Sequence, residues 1–224
     1  MPSIKILAID TATEACSAAL SVHGEQTECY EIAPRRHAEL ILGMVDQLLS
    51  SAGLQVADLD ALAFGCGPGA FTGVRVAAGV TQGLAFATNL PVVPISTLAT
   101  LAQGATGEYA DIISAIDARM HEIYWGMYHT GPDGLVLPVR ADALSRPDQI
   151  EIPAGTNWYG AGSGWESYAD ILRERLGDCL AGYSGDRFPR AADMIPLAIR
   201  DFRLGKSVPA DQALPVYLRD KVTS

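Results

Sequence analysis

Between Ala61 and Gly107 the chain carries a single charged side chain, Arg75, and within that stretch a glycine-rich run, G-C-G-P-G-A-F-T-G, leads into a segment of helical character. A helix without charged residues has no face suited to water and has to be covered on nearly every side. One sheet covers only one face of a helix. In a chain of this size the other face calls for further apolar surface, and a second polypeptide is its expected source.

Length and composition bound the answer. The 224 residues, 49% of them apolar, suffice for one large domain or two small lobes. A net charge of −10 argues against a chain that grips phosphate backbones unaided, so any RNA is expected to be held by other subunits. Cys16, Cys29, Cys66 and Cys179 form no C-x-x-C pair, which points to free thiols in a reducing compartment rather than to a zinc knuckle or a disulfide framework. The start, M-P-S-I-K-I-L-A-I-D, runs into a strand pattern without the regions of a signal peptide. Asn89, Pro91 and Pro94 interrupt the most apolar stretch before it reaches the roughly 20 residues that cross a bilayer. The expectation is a cytoplasmic protein.

Ile4 to Ile9 reads as a strand ending at Asp10, Cys16 to Val22 as a second, and Gly24 as the turn into a third over Thr27 to Ile32. Three antiparallel strands with an aspartate at the first turn suggest a ribonuclease-H-like or actin-like lobe. A helix over Arg36 to Ala52, closed by Gly53, follows. On it Leu40, Ile41, Leu42, Met44, Val45, Leu48 and Leu49 spread over about 200°, twice the stripe that docking on one sheet requires. Either this helix is wedged deep in its own core, or it lies at an interface. Leu59 to Gly65 reads as a buried strand, Phe71 to Ala87 as a helix and Pro91 to Ile95 as a strand. Gly73, Ala77, Gly79, Gly83 and Ala87 set small residues about a turn apart on that helix. Each interior glycine costs about 1 kcal/mol relative to alanine, so the series needs a packing reason such as a closely approaching helix.

Charges return after Gly107, which marks a lobe boundary near Gly104 to Glu108 and divides the chain into 1–105 and 106–224. Beyond it lie strands at Ile112 to Ile116, Glu122 to Tyr128 and Leu135 to Val139, the last two joined by T-G-P-D-G. A helix runs past Trp165 and Leu176 to Gly177, and another past Met194 and Phe202 to Gly205.

The glycine run has the look of an anion site, since backbone N–H groups at a helix N-terminus bind phosphate. It is neither a Walker A motif, because Gly73-Val74-Arg75 stands where Gly-Lys-Ser/Thr would, nor the dinucleotide fingerprint. A tight strand-to-helix turn accounts for Gly67 and Gly69 equally well. Asp10 stands where actin-like ATPases and sugar kinases hold an aspartate near the nucleotide's metal, but Thr11-Ala12-Thr13 follows instead of a glycine turn. Capping its own turn is the commoner fate of such a residue. His23, His37, His121 and His129 form no i, i+4 pair, and no nucleophile elbow or Cys/His pair is present. Asp117, Arg119 and Glu122 share a turn, where they either serve a site or pair with one another.

Four stretches, I-L-A-I-D-T-A-T, G-P-G-A-F-T-G-V-R, I-D-A-R-M-H-E-I-Y and P-V-Y-L-R, resemble the bacterial TsaB (YeaZ) family of tRNA threonylcarbamoyladenosine biosynthesis, relatives of the glycoprotease-like TsaD. The resemblance runs over nearly the whole length. It implies an α/β, two-lobed, actin-like (ribonuclease-H-like, ASKHA) fold in which the C-terminal segment packs back on the first lobe. It also implies a non-catalytic subunit that binds and activates TsaD, which transfers threonylcarbamoyl to an adenosine next to the tRNA anticodon. TsaD binds metal through H-x-x-x-H; Thr97 and Leu101 stand at the corresponding places, so neither metal ligand nor catalytic residue is expected here. The implied partner interface comprises Leu40, Ile41, Met44, Val45 and Leu48 on one helix and Arg75, Ala78, Gln82 and Phe86 on the next. The implied partners are TsaD in a heterodimer, the ATPase TsaE, a second copy in isolation, and tRNA through the complex. No cofactor is expected on the chain alone; ATP or ADP is placed at the junction of the complex, near Asp10, Gly67, Gly69 and Gly73. The competing function is an ATP-dependent small-molecule kinase of the actin-like superfamily.

Overall fold

The computed structural model describes residues 4–107 and 109–219, which divide into two compact units. The first opens with β1 (Ile6–Asp10), β2 (Ala15–Val22) and β3 (Glu25–Ile32), consecutive antiparallel partners. His23 and Gly24, both at positive φ, make the two-residue turn between β2 and β3, the backbone sense that matches strand twist. After α1 (His37–Ala52) come β4 (Ala61–Gly67), α2 (Phe71–Thr88) and β5 (Val92–Ser96). β4 lies parallel to β1 and to β5, giving a mixed five-stranded sheet ordered β3-β2-β1-β4-β5. Every residue of β1 and β4 is buried, as central strands covered on both faces must be.

Leu7, Ile9, Ala18, Leu20, Leu62 and Phe64 form one core with Ile41, Val45, Leu48 and Leu49 of α1 and Ala77, Ala78 and Ala85 of α2. Because side chains alternate along a strand, Asp10 and its partner Ser17 point to the opposite face. Gly53 closes α1 in the left-handed conformation, its N–H on the carbonyls of Leu49 and Ser50.

α3 (Thr97–Gly104) leads to the second unit. There β6 (Asp111–Asp117), β7 (Ile123–Thr130), β8 (Val136–Pro138), β9 (Ala143–Ser145), β10 (Trp158–Ala161), α4 (Ser163–Leu176) and β11 (Leu180–Ser184) follow in order. The sheet runs β11-β10-β6-β7-β8, with β9 also on β7. α4 covers it through Trp165, fully buried, whose indole N–H donates to the Ile113 carbonyl at 3.0 Å. Its ring lies where a Gly160 side chain would begin, 2.2 Å from an ideal Cβ.

The chain then returns to the first unit as α5 (Ala191–Arg203) and a strap over residues 205–216. α5 packs on β1, β2, β4 and β5, and its Ala191 N–H donates to Ser17 Oγ at 3.0 Å. The strap is bound to the rim of the sheet by reciprocal N–H to carbonyl bonds between Val92 and Val208, 2.9 and 2.8 Å long. The first unit therefore closes with residues 189–216, where a simple division at 105/106 assigns them to the second lobe.

The mixed α/β architecture is the one expected, with differences at particular elements. β4 extends to Gly67 rather than stopping at Gly65, because beyond an irregularity in register Gly67 still pairs with Ser96 of β5. α3, β9, β10 and β11 are additional to the elements read from the sequence; three to five residues of W-Y-G-A or A-L-S type are too short to show a period. Among the described residues no helix is long and apolar enough to cross a membrane.

Because the Trp165 indole is buried and hydrogen-bonded, it cannot yield to a new methyl group. Gly160→Ala should destabilise the second unit by about 3 kcal/mol. A urea titration followed by tryptophan fluorescence checks this.

Candidate functional site

The glycine turn between β4 and α2 is built by one segment of backbone lying against another. Where Gly69 would carry a Cβ, the Ala12 carbonyl oxygen is 2.4 Å away; at Gly73 the Thr11 carbonyl oxygen is 2.0 Å away. Ala70 N–H donates to the Ala12 carbonyl at 2.8 Å, and Thr11 Oγ1 donates to the Gly73 carbonyl at 2.7 Å. At Gly67, φ +106°, a Cβ would stand 2.7 Å from the Val216 carbonyl oxygen of the strap, while Val216 N–H donates to the Cys66 carbonyl at 2.7 Å. Each of the three glycines expected at a nucleotide is thus filled by the chain's own main chain. Only glycine allows backbones so close.

Asp10 is enclosed beneath this turn. It is fully buried, as are Thr11 and Ala12. One carboxyl oxygen accepts the Ala12 N–H at 2.9 Å, and the other has no hydrogen-bond partner. That second oxygen lies 2.1 Å from the point where a Gly65 side chain would start, and the equally unpartnered Thr97 hydroxyl lies 3.5 Å from the same point. Burial pushes the Asp10 carboxyl up to about 7, with the Ala12 N–H pulling weakly the other way. As folded, Asp10, Gly67, Gly69 and Gly73 do not fit a phosphate group or its metal: the carboxyl is sealed from solvent, and main chain fills the concavity. The capping role of Asp10 in its own turn is the one the geometry realises. Leu101, the other residue at a corresponding metal-ligand place, is a buried core residue of α3. Among the described residues no three His, Cys, Asp or Glu side chains cluster as a metal site would require.

A different surface is open. On α1, Ile41, Val45, Leu48 and Leu49 point into the unit's core, Leu40 and Met44 are half-buried, and Leu42 is 54% exposed. On α2, Val74, Ala77, Ala78, Thr81 and Ala85 face inward, while Phe71 is 54% and Phe86 83% exposed. Gly79 and Gly83 have no atom within 4 Å of an ideal Cβ, so nothing in the described chain fills the notch they leave. The Arg75 guanidinium lies over the Phe71 ring, 3.4 Å from its centroid. Gln82 Nε2 donates to the Ala213 carbonyl of the strap at 3.1 Å.

This sorts the nine residues expected at the partner interface. Phe86, Arg75, Gln82, Leu40 and Met44 reach the surface or border it. Ile41, Val45, Leu48 and Ala78 do not, which corrects the expectation: they form the stripe by which α1 and α2 dock on their own sheet, and only the remainder of the apolar arc is left over. Leu42 and Phe71 belong to the open face instead. The run F-T-G at the start of α2 carried a signal for the latter, an aromatic at the mouth of a glycine turn.

In the second unit, Asp117 and Arg119 pair with each other within the β6–β7 turn, while Glu122 pairs outside it. Asp117 accepts the Arg119 N–H at 2.8 Å and its guanidinium at 3.2 Å, and Glu122 pairs with Arg219 at 2.5 Å. Arg119, Met120 and His121 all lie near φ +60°, a left-handed turn that these bonds hold.

A family model described as TsaD, tRNA N6-adenosine threonylcarbamoyltransferase, matches residues 29–160. The chain is 40% identical to tRNA threonylcarbamoyladenosine biosynthesis protein TsaB of Escherichia coli K12, over 98% of this chain and 96% of that one. It is 38% identical to the protein of the same name from Haemophilus influenzae, over 100% and 97% of the two chains. The solved structure of YeaZ from Pseudomonas aeruginosa superposes with a TM-score of 0.89 at 45% identity, covering 96% of this chain and all of that one.

A carboxyl held near 7 binds its proton more tightly in the fold than in the unfolded chain, whose value is 3.8. Its stabilising contribution is full below about pH 3.8 and is lost as pH rises through 7. Asp10→Asn, neutral at every pH, should therefore gain on the native protein between pH 4 and 8 by an amount on the order of 4 kcal/mol. Urea midpoints of both proteins at pH 4, 6 and 8 test this; parallel curves would refute it.

Proposed function

The chain belongs to the TsaB (YeaZ) family, and from that membership we propose that it serves tRNA threonylcarbamoyladenosine biosynthesis as a non-catalytic subunit that binds and activates a TsaD-type transferase. The observation that carries this reading is the outer face of α2, whose one charged residue is Arg75 and on which Phe86 stands 83% exposed beside a two-glycine notch. An exposed aromatic gains once a partner covers it, and aromatic anchors dominate protein interfaces.

In this reading the transferase supplies the metal and the reacting groups, and this chain supplies a rigid surface. Threonine and leucine at positions 97 and 101 support the division of labour. A TsaE-type ATPase joins the assembly, and two copies of this chain pair through the same face when the transferase is absent. With a net charge of −10, the chain leaves the grip on tRNA to the other subunits. ATP or ADP at the junction is held by the partners, since main chain fills the glycine turn. The complex works in the cytoplasm. The competing kinase reading requires an open phosphate pocket within one chain, and the enclosure of Asp10 speaks against it.

Phe86→Asp should weaken association with the cognate transferase by at least about 30-fold, the scale of an interface anchor. Gel filtration of mixtures and reconstituted threonylcarbamoyl transfer to tRNA, with and without this chain, read the result. A heterodimer that survives the substitution, or transfer that does not depend on the chain, would overturn the proposal.

A further inference from the structure

Beside α2 runs the strap, which exposes Lys206, Asp211 and Gln212 along its course and ends in the apolar Leu214 and Val216, both turned outward although the backbone is fixed. Val216 is held to Cys66 at the end of β4, just ahead of the turn into α2, Ala213 is fully buried and its carbonyl is held by Gln82 in the second half of the helix, and Val208 is bonded to Val92. The strap thus lies alongside α2 in the opposite sense, from the second half of the helix back towards its N-terminus. Between these anchors Leu214 is 60% and Val216 47% exposed. A tethered segment that turns apolar side chains to solvent costs solvation without gaining local order from them, so the exposure needs another source of compensation.

We propose that Leu214 and Val216 belong to the surface that receives the TsaD-type subunit, so that the partner straddles α2 and the strap rather than the helices alone. This rests on the function proposed above. The occupant follows from three features of the face. Its surface on α2 bears no charge except Arg75, which is stacked on Phe71, so it suits an apolar partner and not a nucleic acid or an acidic peptide. The notch at Gly79 and Gly83 is shaped for the close approach of another helix. The TsaD family model spans residues 29–160 and so covers both α1 and α2, which means a TsaD subunit has its own counterparts of these helices to offer. The Gln82 to Ala213 hydrogen bond makes helix and strap one surface, and Gly67 keeps its end in place, because any larger residue would push the Val216 carbonyl away.

Leu214→Asp, alone and with Val216→Ser, is to be compared with Phe86→Asp for binding of the cognate transferase, with thermal unfolding as the control of fold. The strap variants should keep their unfolding temperature and lose at least about tenfold in affinity. Independently, Leu214→Cys should react with a maleimide at least about tenfold more slowly in the complex than in the free chain, read by mass mapping of its own peptide so that the native thiols do not interfere. If Phe86→Asp abolishes binding while the strap variants bind normally and the Leu214→Cys thiol stays reactive, the strap is outside the interface and this inference falls alone. If Phe86→Asp also binds normally, the functional reading falls and takes the strap with it.

Discussion

Two main-chain segments pressed together at the glycine turn set everything else in the first unit. The Thr11 and Ala12 carbonyls meet Gly73 and Gly69 closer than any side chain would allow, and this fixes where α2 begins and how it leaves the sheet. With the start of α2 held, Val74, Ala77, Thr81 and Ala85 fall on the sheet side and Phe71, Gly79, Gly83 and Phe86 fall on the other. The surplus apolar face is thus a geometric result of backbone packing some 10 residues away, transmitted by the rigidity of a helix.

The same packing settles a choice that the residue pattern left open. A glycine-rich turn before a helix suits either a phosphate or a neighbouring strand, and the two uses call for the same residues. What separates them is whether the carbonyls of Thr11 and Ala12 stand in the concavity, which depends on contacts across about 60 positions of chain that no local motif records. Asp10 shows the other side of this. An aspartate at a strand end is legible as a turn cap; its enclosure and its raised proton affinity follow from Gly65 and Thr97, which reach it only through the sheet and α3.

Much of the architecture was visible beforehand because it rests on short-range patterns. An apolar run identified β1, alternation β2 and the Gly24 turn β3, glycine caps closed α1 and α4, and the charge-free run located β4 and α2. The arc of α1 announced more apolar surface than one sheet can take, but not how it would be shared. Ile41, Val45 and Leu48 went inward and Leu42 outward, a partition decided by the rotation of the helix on β2. The course of the C-terminal segment along α2 was not legible for a related reason. P-V-Y-L-R carries no periodicity, and the strap's place beside α2 depends on long-range bonds to Val92, Cys66 and Gln82, the last 131 residues before its partner Ala213.

The return of residues 189–216 to the first unit has a bearing on how the protein is made. The five-stranded sheet is complete once Ser96 is present, yet α5 and the strap that close it are synthesised only after residues 101–188. Most of the second unit lies in the continuous stretch 101–188, so during synthesis it can reach its native packing while the older half still waits, its nascent surface bare, for its own final segment.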